Sequence, residues 1–283
     1  MKKNNIMKDL ARRTAISMFS AKYSVSGEMS RLLCKNRVQF IYFHQILSVQ
    51  EARFRELLSF LMKDHVFLGH SEALARIHSG SIDKPYLSVS FDDGFKNCLK
   101  AASIMDDYGI KACFFVTPYV IGEKDPSKLK VFCREKLHSE PAEFLDWDDI
   151  DTLLSKGHEI GSHGMTHSCL AGIDRKDLDD EITGSFLVLD RRAGPVKHFS
   201  WPYGRFSDFS PEAARTVFDA GFVSCSSAVR GCHTFAAQDK RALCIRRDHI
   251  MAEWPLSHIK YFLAKSSGAS SEKTGRWPEA WIV

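Results

Sequence analysis

Residues 86–94 read YLSVSFDDG. Leu87, Val89 and Phe91 fall on one face of an extended chain, with serines on the other, and the run ends in two carboxylates and an Asp-Gly turn signal. A helical pattern follows, with Cys98, Ala101, Ala102, Met105 and Tyr108 on one face and Gly109 as its stop. Ala112–Val116 (ACFFV) is then a second strand, so strand, helix and strand succeed one another as in a parallel sheet. The alternation continues in both directions. Upstream, Gln39–Phe43 (QFIYF) is a strand before a helix carrying Phe54, Leu57, Leu58, Leu61 and Met62. Downstream come a helix over Asp148–Lys156 ended by Gly157, a short strand at His158–Gly161, and a helix marked by Leu178, Ile182, Phe186 and Leu189. Lys197–Trp201 is a strand, and Ser210-Pro211 opens a helix that Gly221 ends. Phe222–Ser226 and Leu243–Arg247 complete seven strands. This pattern predicts an α/β fold with a mainly parallel sheet, open or closed into a barrel, in one domain.

Composition narrows the class. The 283 residues are 44% hydrophobic and 26% charged, enough for a sizeable core and against wholesale disorder. A net charge of +4 is too mild to argue for a nucleic-acid partner, and no apolar stretch approaches the ~18 residues of a spanning helix. The eight cysteines (Cys34, Cys98, Cys113, Cys133, Cys169, Cys225, Cys232 and Cys244) are scattered without a C-x-x-C pair, which suits a reducing compartment. The opening MKKNNIMKDLARR is broken by Lys8, Asp9, Arg12 and Arg13 before an apolar core can form, so no cleaved signal and a cytoplasmic location are expected. Residues 2–23 read as a basic amphipathic helix, either packed on the domain or resting on an anionic membrane surface. The polar run Ser266–Gly275 reads as flexible tail, which divides the chain into 1–37, 38–265 and 266–283.

In parallel α/β folds, functional side chains collect beyond the C-terminal ends of strands. Those positions hold His44, then Asp92-Asp93-Gly94, then Ser162 and His163-Gly-Met-Thr-His167, then Pro202-Tyr203-Gly204, then Arg247, Asp248 and His249. Adjacent carboxylates on extended backbone point in different directions, so one can bind a metal while its neighbour faces the reacting water. Two histidines four residues apart can meet one ion. With one aspartate they leave coordination positions open, the mark of a catalytic rather than a structural metal site. A lone Asp-Asp-Gly is more often a turn, and a lone H-x-x-x-H arises by chance on exposed helices. Their occurrence together on successive strand ends is the stronger signal.

SFDDG (90–94), GSHGMTH (161–167) and WPYG (201–204) resemble, in order and spacing, the three motifs of the polysaccharide deacetylases, the NodB-homology group of carbohydrate esterases. The resemblance runs from about Gln39 to His249 and implies a distorted (β/α)7 barrel. It makes Asp93, His163 and His167 ligands of one divalent ion, zinc by default, with Asp92 as general base. The Tyr203 backbone amide then helps hold the oxyanion. The usual acid of the family is a histidine in a C-terminal L-x-H segment. Leu256-Ser257-His258 matches those letters but lies beyond the last strand. A subgroup acting on exopolysaccharides carries this histidine near the N-terminus, and Ile41–Ile46 (IYFHQI) resembles that segment, which points to His44 with His249 in reserve. Two positions depart from the pattern. Ser200 stands where the third motif has an arginine bracing the base, leaving Arg246 or Arg247 to replace it, and Gly164 stands where the second motif has Ser or Thr. The latter change removes a hydrogen bond behind the ligands and is expected to weaken metal binding.

The activity so implied is metal-dependent removal of an N-acetyl group from an amino sugar. A polyprenyl-phosphate N-acetylhexosamine of lipopolysaccharide or cell-surface glycan synthesis is the expected substrate, with residues 2–23 touching the inner membrane face. Alternatives are a deformylase, a deacetylase of another glycan, a catalytically inactive sugar-binding relative and, more remotely, a non-haem iron oxygenase, whose facial triad uses the same ligand types.

Overall fold

A computed structural model describes residues 2–268 and 275–281, with side chains from residue 11 onward. The strands are β1 (Arg37–Phe43), β2 (Val66–Phe67), β3 (Pro85–Phe91), β4 (Ala112–Val116), β5 (Glu159–Ser162), β6 (His198–Ser200), β7 (Ser224–Ser226), β8 (Cys244–Ile245) and β9 (Arg247–His249). They pair in parallel in the order β8-β7-β6-β5-β4-β3-β1-β9, with β2 beside β3. β8 and β9 are halves of one run interrupted at Arg246. Its first half pairs with β7 and its second with β1, so the sheet curls round to a nearly closed barrel. Each of the seven expected strands is present, the last of them split. β2, two residues long, is too short to show an alternation.

The two faces of the sheet differ in chemistry. Leu87, Val89, Phe91, Phe114, Ile160 and Phe199 face outward and form one core with Phe54, Leu57, Leu58 and Leu61 of the helix Glu51–Leu61. Inside the barrel the alternate positions are polar or aromatic: Tyr42, Ser90, Phe115, Ser200 and Arg247 meet one another there. The floor is closed by His70, which begins the helix His70–Ser79, a helix the sequence reading passed over. Its ring lies 4.9 Å from Phe40 and 4.6 Å from His198.

Four of the α-helices begin on a side-chain cap, Asp125, Asp146, Asp174 or Ser210. Ser210 Oγ accepts the Ala213 N–H (3.0 Å) at the start of Pro211–Ala220, and Gly221 ends it at φ 117°. The helix marked by Leu178, Ile182, Phe186 and Leu189 is present as one continuous run with a π turn inside it. Its successive stretches are Arg175–Asp179, the π-helical turn Asp180–Gly184, and Ser185–Ala193.

The described terminal segments pack on the rest of the chain. The helix Lys2–Val25 packs on the last helix, Leu256–Gly268: Ser20 Oγ donates to the Ser257 carbonyl (2.9 Å), and the Tyr23 and Tyr261 rings meet at 5.5 Å. Met29, Leu32 and Leu33 of the helix Glu28–Leu33 join the main core. Residues 266–268 are not tail but the end of the last helix. Ser266 Oγ donates to Asp248 Oδ1 (2.7 Å) and Ser267 Oγ to the Leu32 carbonyl (2.8 Å). Residues 269–274 of the expected tail lie outside the described residues, as do 282–283. Beyond them Gly275 accepts the Cys244 N–H (3.0 Å), and Trp277 stacks on Trp201 with ring centres 5.9 Å apart. A polar composition here conceals serines that satisfy buried acceptors and an aromatic anchor that fills the core. Among the described residues no helix is long and apolar enough to cross a membrane.

Candidate active site

β3 ends at Phe91 and hands the chain to Asp92, whose N–H donates to the Phe43 carbonyl of β1 (3.0 Å). The Asp92 side chain turns into the barrel and meets Arg247 face on. Nη1 donates to Oδ1 (2.7 Å) and Nη2 to Oδ2 (2.8 Å). The remaining Arg247 donors reach Ser90 Oγ (3.1 Å), Ser200 Oγ (2.6 Å) and the Ser227 carbonyl (2.9 Å). All five N–H groups of the guanidinium are thereby used. Its carbon lies 4.4 Å from the centre of the Tyr42 ring and 5.1 Å from that of Phe115. Both partners are almost wholly buried. Burial alone would raise the Asp92 carboxyl, but the Arg247 charge and hydrogen bonds carry it below its ordinary value.

Of the two arginines offered as partners of the base, Arg247 fills the role and Arg246 does not. Neighbours on a strand point to opposite faces, and Arg246 lies outside the barrel, 4.5 Å over the Phe206 ring and donating to the Arg276 carbonyl (3.0 Å). Ser200, short where the resembled pattern has arginine, donates nothing to Asp92 directly. It receives one of the Arg247 bonds, so the arginine comes from a different strand.

Asp93 follows in the left-handed region, φ 73°, which turns its carboxylate away from Asp92. Its Oδ1 lies 3.4 Å from His163 Nε2 and 3.3 Å from His167 Nε2, and the three donor atoms all fall within 4.8 Å of one another. Ligand bonds of about 2.0–2.2 Å in a tetrahedron place donors roughly 3.4 Å apart, so the set fits a metal ion. The His163 tautomer agrees: Nδ1 is 2.7 Å from the Ser200 carbonyl and must carry the hydrogen, leaving the Nε2 lone pair toward Asp93.

Gly164 does not leave the ligand loop unsupported. Its φ is 78°, and a Cβ there would stand 3.0 Å from Glu181 Oε2. That carboxylate accepts the Thr166 N–H (3.0 Å) and the Thr166 hydroxyl, while the Glu181 carbonyl accepts the Met165 N–H (3.0 Å). Glu181 therefore supplies from another element the hydrogen bonding expected to be missing, and the π-helical turn carrying it sets its aim. Sequence reading passed over Glu181 because it sits amid acidic residues in an ordinary helical pattern.

Tyr203 also has a positive φ, 63°, and among the described residues its backbone N–H has no partner. Its ring meets His167 edge-on at 4.9 Å, and its hydroxyl donates to the Lys136 carbonyl (3.0 Å). Opposite stand His44 and His249, with ring centres 5.0 Å apart and each near the Tyr42 ring. Burial, helped by the nearby His44 and Arg230, holds His249 down at about 3, so it is neutral at physiological pH. His258 is remote, its Nε2 bonded to Ser17 Oγ (2.8 Å).

Asp92, Asp93, His163, His167, Tyr203, His44, His249 and Arg247 all line one cavity of about 470 Å³ at the C-terminal rim. Lys136 and His138 line it too, from a segment between β4 and β5 that carried no recognised signal.

Comparison with known proteins agrees with this geometry. The family model described as polysaccharide deacetylase matches residues 79–218. The chitooligosaccharide deacetylase of Sinorhizobium fredii is 28% identical over 132 residues, 44% of this chain and 49% of that protein, so the match spans about half the length of the curated relative. Among solved structures, IcaB from Ammonifex degensii superposes with a TM-score of 0.64 at 18% identity, covering 83% of this chain and 98% of that one. The Streptococcus pyogenes deacetylase PplD, solved with acetate, gives 0.63 at 15% identity over 80% and 98%. The de-N-acetylase from Aggregatibacter actinomycetemcomitans gives 0.63 at 16% identity over 80% and 99%. At these identities the structural likenesses speak to the fold alone. With all three motifs inside the matched stretch and the barrel fold shared, the chain belongs to the polysaccharide deacetylase family.

Proposed function

We propose that this chain hydrolyses the N-acetyl group of an amino sugar. The observation that carries the reading is a buried aspartate, Asp92, held ionised by Arg247 beside a three-donor set, Asp93, His163 and His167, that fits a metal. A divalent ion in that set, zinc on its donor types, would polarise the amide carbonyl and lower the pKa of water. Asp92 takes the proton of the attacking water, and Arg247 keeps it anionic where burial would otherwise neutralise it. The free Tyr203 N–H donates to the oxygen on which charge develops, a contribution of about 3 kcal/mol in comparable sites. His44 gives a proton to the departing nitrogen, which leaves as the amine while the acyl group departs as acetate. Burial leaves His249 without a proton to give at neutral pH, so the role passes to His44. A second carboxylate inside the cavity favours hydrolysis over a facial-triad oxygenase, which has no use for a base there.

The substrate we propose is a polyprenyl-phosphate N-acetylhexosamine, met at the cytosolic membrane face. Its support is the helix Lys2–Val25, whose outer surface exposes Arg12, Arg13 and Lys22 together with Met18 and Val25. The test is acyl release, with acetate and formate scored separately, by metal-loaded protein. The panel holds a polyprenyl-phosphate N-acetylhexosamine, its nucleotide-sugar counterpart and a chito-oligosaccharide. We expect acetate from the lipid-linked sugar and a fall of about 10²–10⁴-fold in Asp92→Asn with metal content retained. Wild-type rates in Asp92→Asn would refute the role of the base, and silence on the whole panel would refute the activity.

A further inference from the structure

Among the described residues, four that are not glycine have positive φ: Asp93, His138, His167 and Tyr203. Three belong to the site already built. The fourth, His138 (φ 52°), directly follows a π-helical turn at Cys133–Leu137 on the facing wall of the same cavity. Both a π-turn and a left-handed residue with a bulky side chain cost stability and persist where surrounding contacts impose them. Here the contacts come from the site. Tyr203 ties down the Lys136 carbonyl through its hydroxyl (3.0 Å) and stacks on the His138 ring at 6.4 Å, while its other edge meets His167.

This segment offers the cavity two side chains, Lys136 and His138. The other charged groups lining it already have partners within the protein. Asp92 pairs with Arg247, Asp93 faces the two histidines, and Glu253 accepts from the Gln50 amide (3.0 Å). Lys136 Nζ donates to Ser168 Oγ (3.0 Å), and among the described residues no carboxylate pairs with it. Ser168 Oγ is in turn 2.9 Å from Thr166 Oγ1, and Thr166 is held by Glu181. The network that fixes the His167 loop thus also holds a cation on the cavity wall.

We infer that Lys136, flanked by His138, binds an oxyanion carried by the sugar, a phosphate or a carboxylate, while the acetamide lies at the Asp92 end of the cavity. This inference rests on the reading that an amino sugar occupies the cavity. An ammonium with two hydrogens to spare, held in a partly enclosed site, forms charge-assisted bonds to such a group.

Calorimetric titration of the metal-loaded full chain tests it without requiring turnover. The probes are N-acetylglucosamine, N-acetylglucosamine 1-phosphate and N-acetylgalactosaminuronic acid. The expected result is binding of one anionic sugar at least about tenfold tighter than the neutral one, and whichever anion is preferred identifies its source. Lys136→Gln should bring that ratio close to one. His138→Gly, which keeps the left-handed backbone open, should lower it by a smaller factor. Equal binding of all three sugars, no binding of either anion, or a preference that survives Lys136→Gln in folded protein would overturn the inference. Anion preference without acyl release would count against the hydrolase alone, and acyl release without anion preference against Lys136 alone.

Discussion

At the rim of the barrel, the ends of β1, β3, β5 and β9 bring together carboxylates, imidazoles and an arginine. At the floor, the beginnings of β5, β6 and β7 and the helix His70–Ser79 assemble Glu159, His198, Ser224, His70 and Ser71 from similar residue types. Most of the floor is closed on itself, although both ring nitrogens of His70 are buried without a hydrogen-bond partner. Glu159 accepts the Ser71 N–H (2.9 Å) and caps that helix, and His198 spends Nδ1 on Ser224 (2.8 Å) and Nε2 on Ser71 (2.8 Å). Among the described residues no set of three metal-capable donors converges there, whereas Asp93, His163 and His167 do so at the rim. Nor does the floor hold any of the positive-φ non-glycine residues, all four of which line the rim cavity. What separates chemistry from structure in this barrel is whether lone pairs converge on an open point and whether backbone is strained to aim them.

That contrast can be broken. Arg247→Met carries the largest expected effect. It leaves Asp92 buried without its counter-charge, so stability should fall by about 3–5 kcal/mol in chemical denaturation and acyl release should be lost. Most of the stability should return when Asp92→Asn is added. A double variant no more stable than Arg247→Met would mean that the pair is not a closed unit. Glu159→Gln at the floor should cost about 1–3 kcal/mol and leave turnover per folded molecule unchanged. A tenfold drop in kcat in well-folded Glu159→Gln would show that the floor is coupled to the reaction.

Acidification sharpens the same contrast through histidines away from the rim. His65, His158 and His233 each accept an N–H on one ring nitrogen, from Arg37 (2.9 Å), Ala112 (3.1 Å) and Arg246 (3.2 Å) respectively. Burial, foremost, lowers them to about 4, about 4 and about 3. The unfolded chain therefore takes up these protons first. The contribution is complete above the unfolded value near 6.5 and is lost as pH falls toward 4, by up to about 1.4 kcal/mol per pH unit for each histidine. Thermal melts from pH 7 to pH 5 should show a steady fall in Tm. A flat profile would mean that these imidazoles are not held neutral.

The rim was legible in sequence because its parts are unusual residue types at strand ends: SFDDG, the two histidines of GSHGMTH and the Pro-Tyr-Gly turn each announce themselves. What could not be read depended on orientation. Arg246 and Arg247 are equivalent in letters, and only the register of a broken strand assigns one to the lumen. Glu181 and Lys136 reach the site from π-helical turns, which have no compositional signature. Tyr203 was readable as a turn, but its tie to the Lys136 carbonyl was not, since nothing local links positions 67 residues apart. The described parts of the expected tail, 266–268 and 275–281, were hidden for the converse reason: their local composition is polar, while Ser266, Ser267 and Trp277 find partners far away in sequence.

The interrupted run that forms β8 and β9 has a temporal consequence. Arg247 follows Asp92 by 155 residues, and its strand run is also the one that joins β7 to β1. During synthesis the Asp92 carboxylate is made long before its counter-charge. A nascent chain therefore has to carry that carboxylate solvated in an open, unsealed sheet. Sealing the barrel and arming the base are one event, and a chain that stalls short of it has neither.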